Sequence, residues 1–123
     1  MKVLIVDDEP AIIRIWSRIF RRFNVDFFSA CDGEAGFNQY QKHLPDLVLT
    51  DLRMPGKDGL YLLQKIREST EVTPLLFVCS GYAEESRESL TSLNIVRLIP
   101  KPFNARAESE CFRKVVDEYH RQN

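Results

Sequence analysis

No stretch of this sequence approaches the uninterrupted apolar length needed to cross a bilayer. Its N-terminal apolar run, Val3 to Val6, stops at the acids Asp7, Asp8 and Glu9. A leader peptide needs a longer apolar region and a small-residue cleavage site, so the chain reads as soluble and cytoplasmic, with no membrane partner. Cysteine is scarce: Cys31, Cys79 and Cys111 are odd in number and widely spaced, which suits neither a disulfide framework nor the paired ligands of a zinc site. They read as reduced thiols, Cys79 and Cys111 as small buried hydrophobes. An excess of either charge is missing as well. Lys+Arg (17) nearly balance Asp+Glu (18) for a net charge of -1, which argues against nucleic acid as the primary ligand, because phosphate-backbone binding needs a basic excess or stripe. Repeats, linkers and low-complexity tracts are absent. The 123 residues fit a single domain over residues 1–123, long enough for one core.

Short runs rich in Val, Ile and Leu are present instead, at Lys2 to Val6, Asp46 to Thr50, Pro74 to Cys79 and Ile95 to Ile99. Strands covered on both faces look like this. Val25 to Ala30 is more aromatic and less uniform, as expected of a strand nearer an edge. Helical periodicity fills the intervals. Pro10 to Phe23 places Ile12, Ile15, Trp16, Ile19 and Phe23 on one face, with Ile13 and Phe20 off that stripe but expected to be buried. Glu34 to His43 follows the Asp32-Gly33 turn and ends before Pro45. Gly59 to Glu68 carries Leu60, Leu63 and Ile66 in register, and Ala105 to Arg121 carries Ala107, Cys111, Val115 and Tyr119. Glu84 to Leu93 offers only Leu90 and Leu93 as large anchors, so it should dock weakly. Strands alternating with helices at this spacing give an α/β fold: a doubly wound, five-stranded parallel sheet with helices on both faces.

In such a sheet the C-terminal ends of the strands converge on one crevice. Four runs end in residues fit for phosphoryl chemistry: Asp7 and Asp8, then Asp51, then Ser80, then Lys101. Gathering these acids, with Glu9 adding to the field, is unfavourable without a cation, and all-oxygen ligation suits magnesium. The Asp51 carboxylate is then a nucleophile for phosphorus. Lys101 supplies a point charge and Ser80 a hydrogen bond for phosphoryl oxygens, while Gly81 leaves room for the group to enter.

The segments Val3-Leu-Ile-Val-Asp-Asp-Glu-Pro10, Leu49-Thr-Asp-Leu-Arg-Met-Pro-Gly-Lys-Asp-Gly59, Phe77-Val-Cys-Ser-Gly81 and Pro100-Lys-Pro-Phe103 resemble the receiver domain of two-component response regulators, whose fold is flavodoxin-like, (βα)5. The resemblance covers nearly the whole chain. It implies that Asp51 accepts phosphate from a histidine kinase or phosphotransfer protein. It also implies that Asp7, Asp8 and Asp51 hold Mg2+ with the main-chain carbonyl of Arg53, and that Lys101-Pro102 is cis. Phosphorylation in the family draws in the Ser/Thr, here Ser80, and an aromatic residue three positions before the lysine, altering the face made by the fourth helix, fifth strand and fifth helix. Leu98 stands at that aromatic position, so half of the usual switch is missing. Arg53 and Tyr82 are expected to flank the pocket mouth and to affect the lifetime of the acyl phosphate, with Tyr82 a substitute for the missing aromatic.

The leading reading is a phosphoacceptor switch of a phosphorelay, not an enzyme with a separate substrate, acting on a protein partner or on an output domain outside this sequence. A magnesium-dependent phosphohydrolase would carry a further acid two residues after Asp51, where Arg53 stands. A degenerate receiver, binding partners without phosphorylation, is the remaining alternative.

Overall fold

The computed structural model describes residues 1–69, 72–81 and 87–123. Strands β1 (Lys2–Val6), β2 (Asp26–Ala30), β3 (Leu47–Thr50), β4 (Leu75–Ser80) and β5 (Arg97–Pro100) pair in parallel in the order β2-β1-β3-β4-β5. Each lies within two residues of its expected bounds, and β2 is an edge strand as its composition indicated. Between them run α1 (Pro10–Arg22), α2 (Gly33–His43), α3 (Gly59–Ser69) and α4 (Arg87–Leu90), the last continued by a 3-10 turn at Thr91–Leu93; α5 (Ala105–Gln122) closes the chain.

Alternation along each strand sorts side chains into two cores. Leu4, Val6, Val48, Leu76 and Val78 pack with Leu62, Leu63 and Ile66 of α3, and with Leu90 and Leu93. Val3, Ile5, Leu47, Leu49, Phe77 and Ile99 face the other way, onto Trp16, Ile19 and Phe20 of α1 and Phe112 and Val116 of α5. Residues Asp32, Asp58 and Asn104 begin helices by accepting the backbone N–H of Ala35, Tyr61 and Ala107 at 2.8, 3.0 and 2.9 Å, satisfying donors that a helix start leaves orphaned.

Three helix faces differ from the sequence reading. In α1 the buried set is Trp16, Ser17, Ile19 and Phe20, with Ile12, Ile13 and Phe23 partly buried against the same core; Phe20 is wholly buried as expected, but Ile15 joins neither core. Leu62 joins Leu63 and Ile66 as a fully buried residue of α3, while Leu60 is only partly buried. In α5 the buried set is Glu108, Ser109, Phe112 and Val116, one position round from the stripe led by Ala107, which is exposed. The fourth helix is described only from Arg87, with residues 84–86 outside the described set; Leu90 and Leu93 are its buried anchors. Cys79 is buried and desolvation pushes its thiol up to about 12, a pKa that leaves little thiolate at neutral pH. Cys111 is only half-buried and Cys31 is exposed.

Candidate functional site: an acidic pocket at the strand ends

The neighbours of β1 in the sheet are β2 and β3, so the chain winds one way to β2 and the other way from β3 onward, opening a crevice beyond the C-terminal ends of β1 and β3. The ladder continues one residue past three strand ends. Asp7 N donates to Ala30 O at 3.1 Å, Asp51 N to Val6 O at 2.9 Å, and Lys101 N to Ser80 O at 3.3 Å. Backbone pairing thus fixes all three positions before any side-chain contact is made. Their side chains also share a face: counting by two from Ile5, Leu49 and Ile99 leads to Asp7, Asp51 and Lys101, on the α1 and α5 side of the sheet. Ser80 follows Val78 and belongs to the opposite side, where α3 and α4 pack.

The Lys101 ammonium stands at the centre. Its Nζ donates to Asp7 Oδ2 at 2.8 Å, Asp51 Oδ2 at 2.9 Å and Glu9 Oε1 at 3.2 Å. Burial works against its charge, but the hydrogen bonds and charges of Asp7 and Asp51 prevail and hold its pKa above the ordinary lysine value. Asp51 Oδ1 accepts the Leu52 N–H at 2.7 Å, so both carboxylate oxygens are oriented. One ligand atom from each of Asp7, Asp8, Glu9 and Asp51 lies within 4.8 Å of the others. That concentration of negative charge exceeds what one ammonium neutralises, and its hard oxygen donors match magnesium.

Expected site residues fall as follows. Asp7 and Asp51 are buried, while Asp8 and Glu9 are exposed at the rim. Asp8, Asp51, Arg53, Gly81 and Lys101 line one pocket of about 570 Å³. Ser80 is buried at the end of β4, immediately before Gly81. Leu98 is half-buried and packs against the core that contains Leu90 and Leu93. Tyr82 lies outside the described residues. The Lys101-Pro102 peptide is cis. Sequence reasoning passed over Thr50, whose hydroxyl donates to the Asp51 carbonyl at 2.8 Å, and Gly59, which packs against that same carbonyl.

The charge on Asp7 is costly where it is buried. Burial, only partly offset by the Lys101 and Glu9 N–H hydrogen bonds, raises its pKa above 3.8. The folded protein therefore binds this proton more tightly than the unfolded chain, and stability falls as pH rises from below 3.8 through the raised folded value. Asp7→Asn removes the charge and keeps an oxygen for the Glu9 N–H, which Asp7 Oδ1 now accepts at 2.9 Å. The metal-free variant should melt higher at pH 7, by roughly 3–5 °C for each kcal/mol gained. The difference should shrink toward pH 3. Melting curves with a chelator at both pH values check this, and a lower melting temperature at pH 7 would contradict it.

Comparison with known proteins agrees with this geometry. The family described as response regulator receiver domain matches residues 3–110. The transcriptional regulatory protein TrcR of Mycobacterium tuberculosis is 31% identical over 104 residues, covering 85% of this chain and 40% of TrcR; the chain thus spans less than half of that relative's length. The crystal structure of the N-terminal domain of an uncharacterized protein from Wolinella succinogenes superposes with a TM-score of 0.89 at 27% identity, covering 100% of this chain and 99% of that one. The response regulator TrrA of Thermotoga maritima, crystallised in complex with Mg2+ and beryllium fluoride, gives a TM-score of 0.78 at 26% identity, with 92% and 96% of the two chains covered.

Proposed function

The chain belongs to the response regulator receiver domains, the signalling modules of two-component systems, and from that premise we propose that it is a phosphoacceptor switch with Asp51 as the acceptor. The observation that carries this reading is the convergence of Asp7, Asp51 and Glu9 on the Lys101 ammonium, at 2.8, 2.9 and 3.2 Å. A carboxylate nucleophile beside a fixed cation and a surplus of acids is the equipment of phosphoryl transfer, in which positioning and charge neutralisation do most of the work.

Asp7, Asp8, Asp51 and the Arg53 main-chain carbonyl are the groups we assign to magnesium; the binding of Mg2+ by TrrA supports the choice. When bound, the ion neutralises the acids and part of the charge on the phosphoryl oxygens. An Asp51 oxygen attacks phosphorus, and the bond from phosphorus to the donor nitrogen of a phosphohistidine breaks, its electron pair leaving with the donor. Lys101 exchanges its contact with Asp51 for one with a phosphoryl oxygen, and Ser80 donates a hydrogen bond to another. Gly81 presents no side chain to the entering group, and Arg53 stands at the lip, where its bulk bears on the approach of water.

The donor we assign is a histidine kinase or phosphotransfer protein in the cytoplasm. Ile15, Arg18, Ile19 and Arg106 line a groove of about 400 Å³ between α1 and the start of α5, one helical turn from Ile12 at the pocket's edge. Such a groove offers a donor helix apolar and charged contacts. Ser80 lies on the α4 side of the sheet with Leu98, Leu90 and Leu93, and through them the phosphoryl state reaches the α4-β5-α5 face. Leu98 has no hydroxyl to bury, so the response here rests on Ser80 and apolar repacking. The output is a partner protein or an attached output domain, and this domain itself touches neither nucleic acid nor membrane. No helix among the described residues is long and apolar enough to cross a membrane.

Intact mass after incubation with magnesium and acetyl phosphate tests the reading. A single phosphoryl adduct should form, be prevented by chelation and be released by hydroxylamine, as an acyl phosphate is. Magnesium binding without any adduct, at short sampling times, would put the phosphorylation-independent receiver ahead.

A further inference from the structure

The opposite end of the sheet carries a second concavity of about 780 Å³, where α2 ends, β4 and β5 begin, and the last turns of α5 pass. The large apolar side chains most exposed among the described residues are Val72 at 86%, Leu44 at 69%, Val96 at 57% and Leu75 at 39%. All of them line this groove. Exposed apolar residues scattered singly need no explanation, but a cluster assembled from three separate connections does. Leu44 sharpens the point. It caps α2 in the left-handed region, at φ 47 and ψ 62, where glycine or asparagine is at ease and a leucine is not. A leucine there serves the isolated chain poorly, in backbone conformation and in hydration alike.

The rim adds one charge of each sign from α5. Lys114 lines the groove and forms no ion pair among the described residues, and Glu118 lines it one turn later, held by Arg121 at 3.1 Å and Gln122 at 2.9 Å. A surface meant for a strongly acidic or basic partner would show a single sign. A two-fold axis uses the same patch twice, so a patch that carries both signs beside projecting and hollow apolar features can complement a second copy of itself.

We propose that this groove is a two-fold contact between two copies of the chain: Val72 and Leu44 of each enter the groove of the other, and Lys114 of each meets Glu118 of the other. The patch is smaller than the roughly 800 Å² per partner of a standard interface, so the association is weak, with Kd on the order of 0.1 mM. It lies at the far end from the phosphoryl pocket and does not depend on the chemistry assigned there.

Sedimentation velocity on the full chain from about 10 µM to about 1 mM, spanning that Kd, decides the matter. The parent should show a rising weight-average coefficient, and Val72→Asp and Lys114→Glu should each weaken association at least tenfold. Combining Lys114→Glu with Glu118→Lys should restore it. Leu44→Asn should weaken association while the melting temperature of the dilute protein holds or rises, which a purely internal role for Leu44 would not allow. A parent that stays monomeric throughout, a Val72→Asp variant that associates like the parent, or a charge swap no better than Lys114→Glu alone would overturn the proposal.

Discussion

Asp51→Asn should abolish the acetyl-phosphate adduct while leaving the fold in place. The amide nitrogen and oxygen are no nucleophiles for phosphorus, so the reaction loses its acceptor outright. The surroundings change little: an asparagine oxygen still takes the Leu52 N–H that Asp51 Oδ1 accepts at 2.7 Å. Lys101 gives up its 2.9 Å contact with Asp51 but keeps Asp7 at 2.8 Å and Glu9 at 3.2 Å. Losing one ion pair and relieving one repulsion among clustered acids act in opposite directions, so stability should move by no more than about 1 kcal/mol, inside the common range for single substitutions. Intact mass and a melting curve on the same samples separate chemistry from folding. An adduct persisting at parental level in a well-folded variant would transfer the acceptor role to another residue. The same variant addresses the alternative reading, since a phosphorylation-independent receiver would bind its partner as well after the substitution as before it.

The sheet was legible because its strands are buried on both faces and so appear as nearly continuous apolar runs, and because the same period of two that sorts Val3 and Ile5 from Leu4 and Val6 also carries Asp7, Asp51 and Lys101 to one side. Helix faces were harder where a polar residue holds a core position. In α5, Glu108 is buried because Arg97 grips it with two hydrogen bonds, at 3.0 and 2.9 Å. With a glutamate at the head of the true face, the apolar pattern slid by one position onto Ala107. In α1 the expected stripe holds at Ile12, Trp16, Ile19 and Phe23, but the burial of Ser17 went unread, its hydroxyl satisfied by the Ile13 carbonyl at 2.7 Å. The burial of Glu108 and of Ser17 went unread for one cause: hydropathy measures a side chain's preference for water, whereas burial depends on whether a partner has been supplied. The basal groove was not legible at all, because Leu44, Val72 and Val96 are isolated in sequence and meet only through the fold.

Gly59 is the clearest case of a requirement set by tertiary approach, and Gly59→Ala should be among the most damaging single-methyl changes in the chain. Gly59 opens α3, and its N–H donates to the Leu52 carbonyl at 3.0 Å. A Cβ at this position would overlap the Asp51 carbonyl oxygen and stand 3.0 Å from Leu52 Cα. Its obstacles are main-chain atoms, so no side-chain rotation relieves the clash, and either α3 or the end of β3 must shift. The Asp51 carbonyl has little room to yield, being held by the Thr50 hydroxyl at 2.8 Å, while the Asp51 N–H is fixed to Val6 O at 2.9 Å. Overpacking costs of about 1–3 kcal/mol are typical where side chains can adjust; against backbone we expect about 3 kcal/mol or more, a loss of roughly 10 °C in melting temperature for a domain of this size. Whatever fraction remains folded should also phosphorylate at least tenfold more slowly, because displacing Asp51 by as little as about 1 Å costs a nucleophile its alignment. Thermal unfolding and the acetyl-phosphate rate, measured together, should fall together. A variant within about 1 kcal/mol of the parent, a change too small to register a backbone clash, would mean that the approach of α3 to the Asp51 carbonyl is looser than the structure shows, and that Asp51 is positioned by the strand ladder alone.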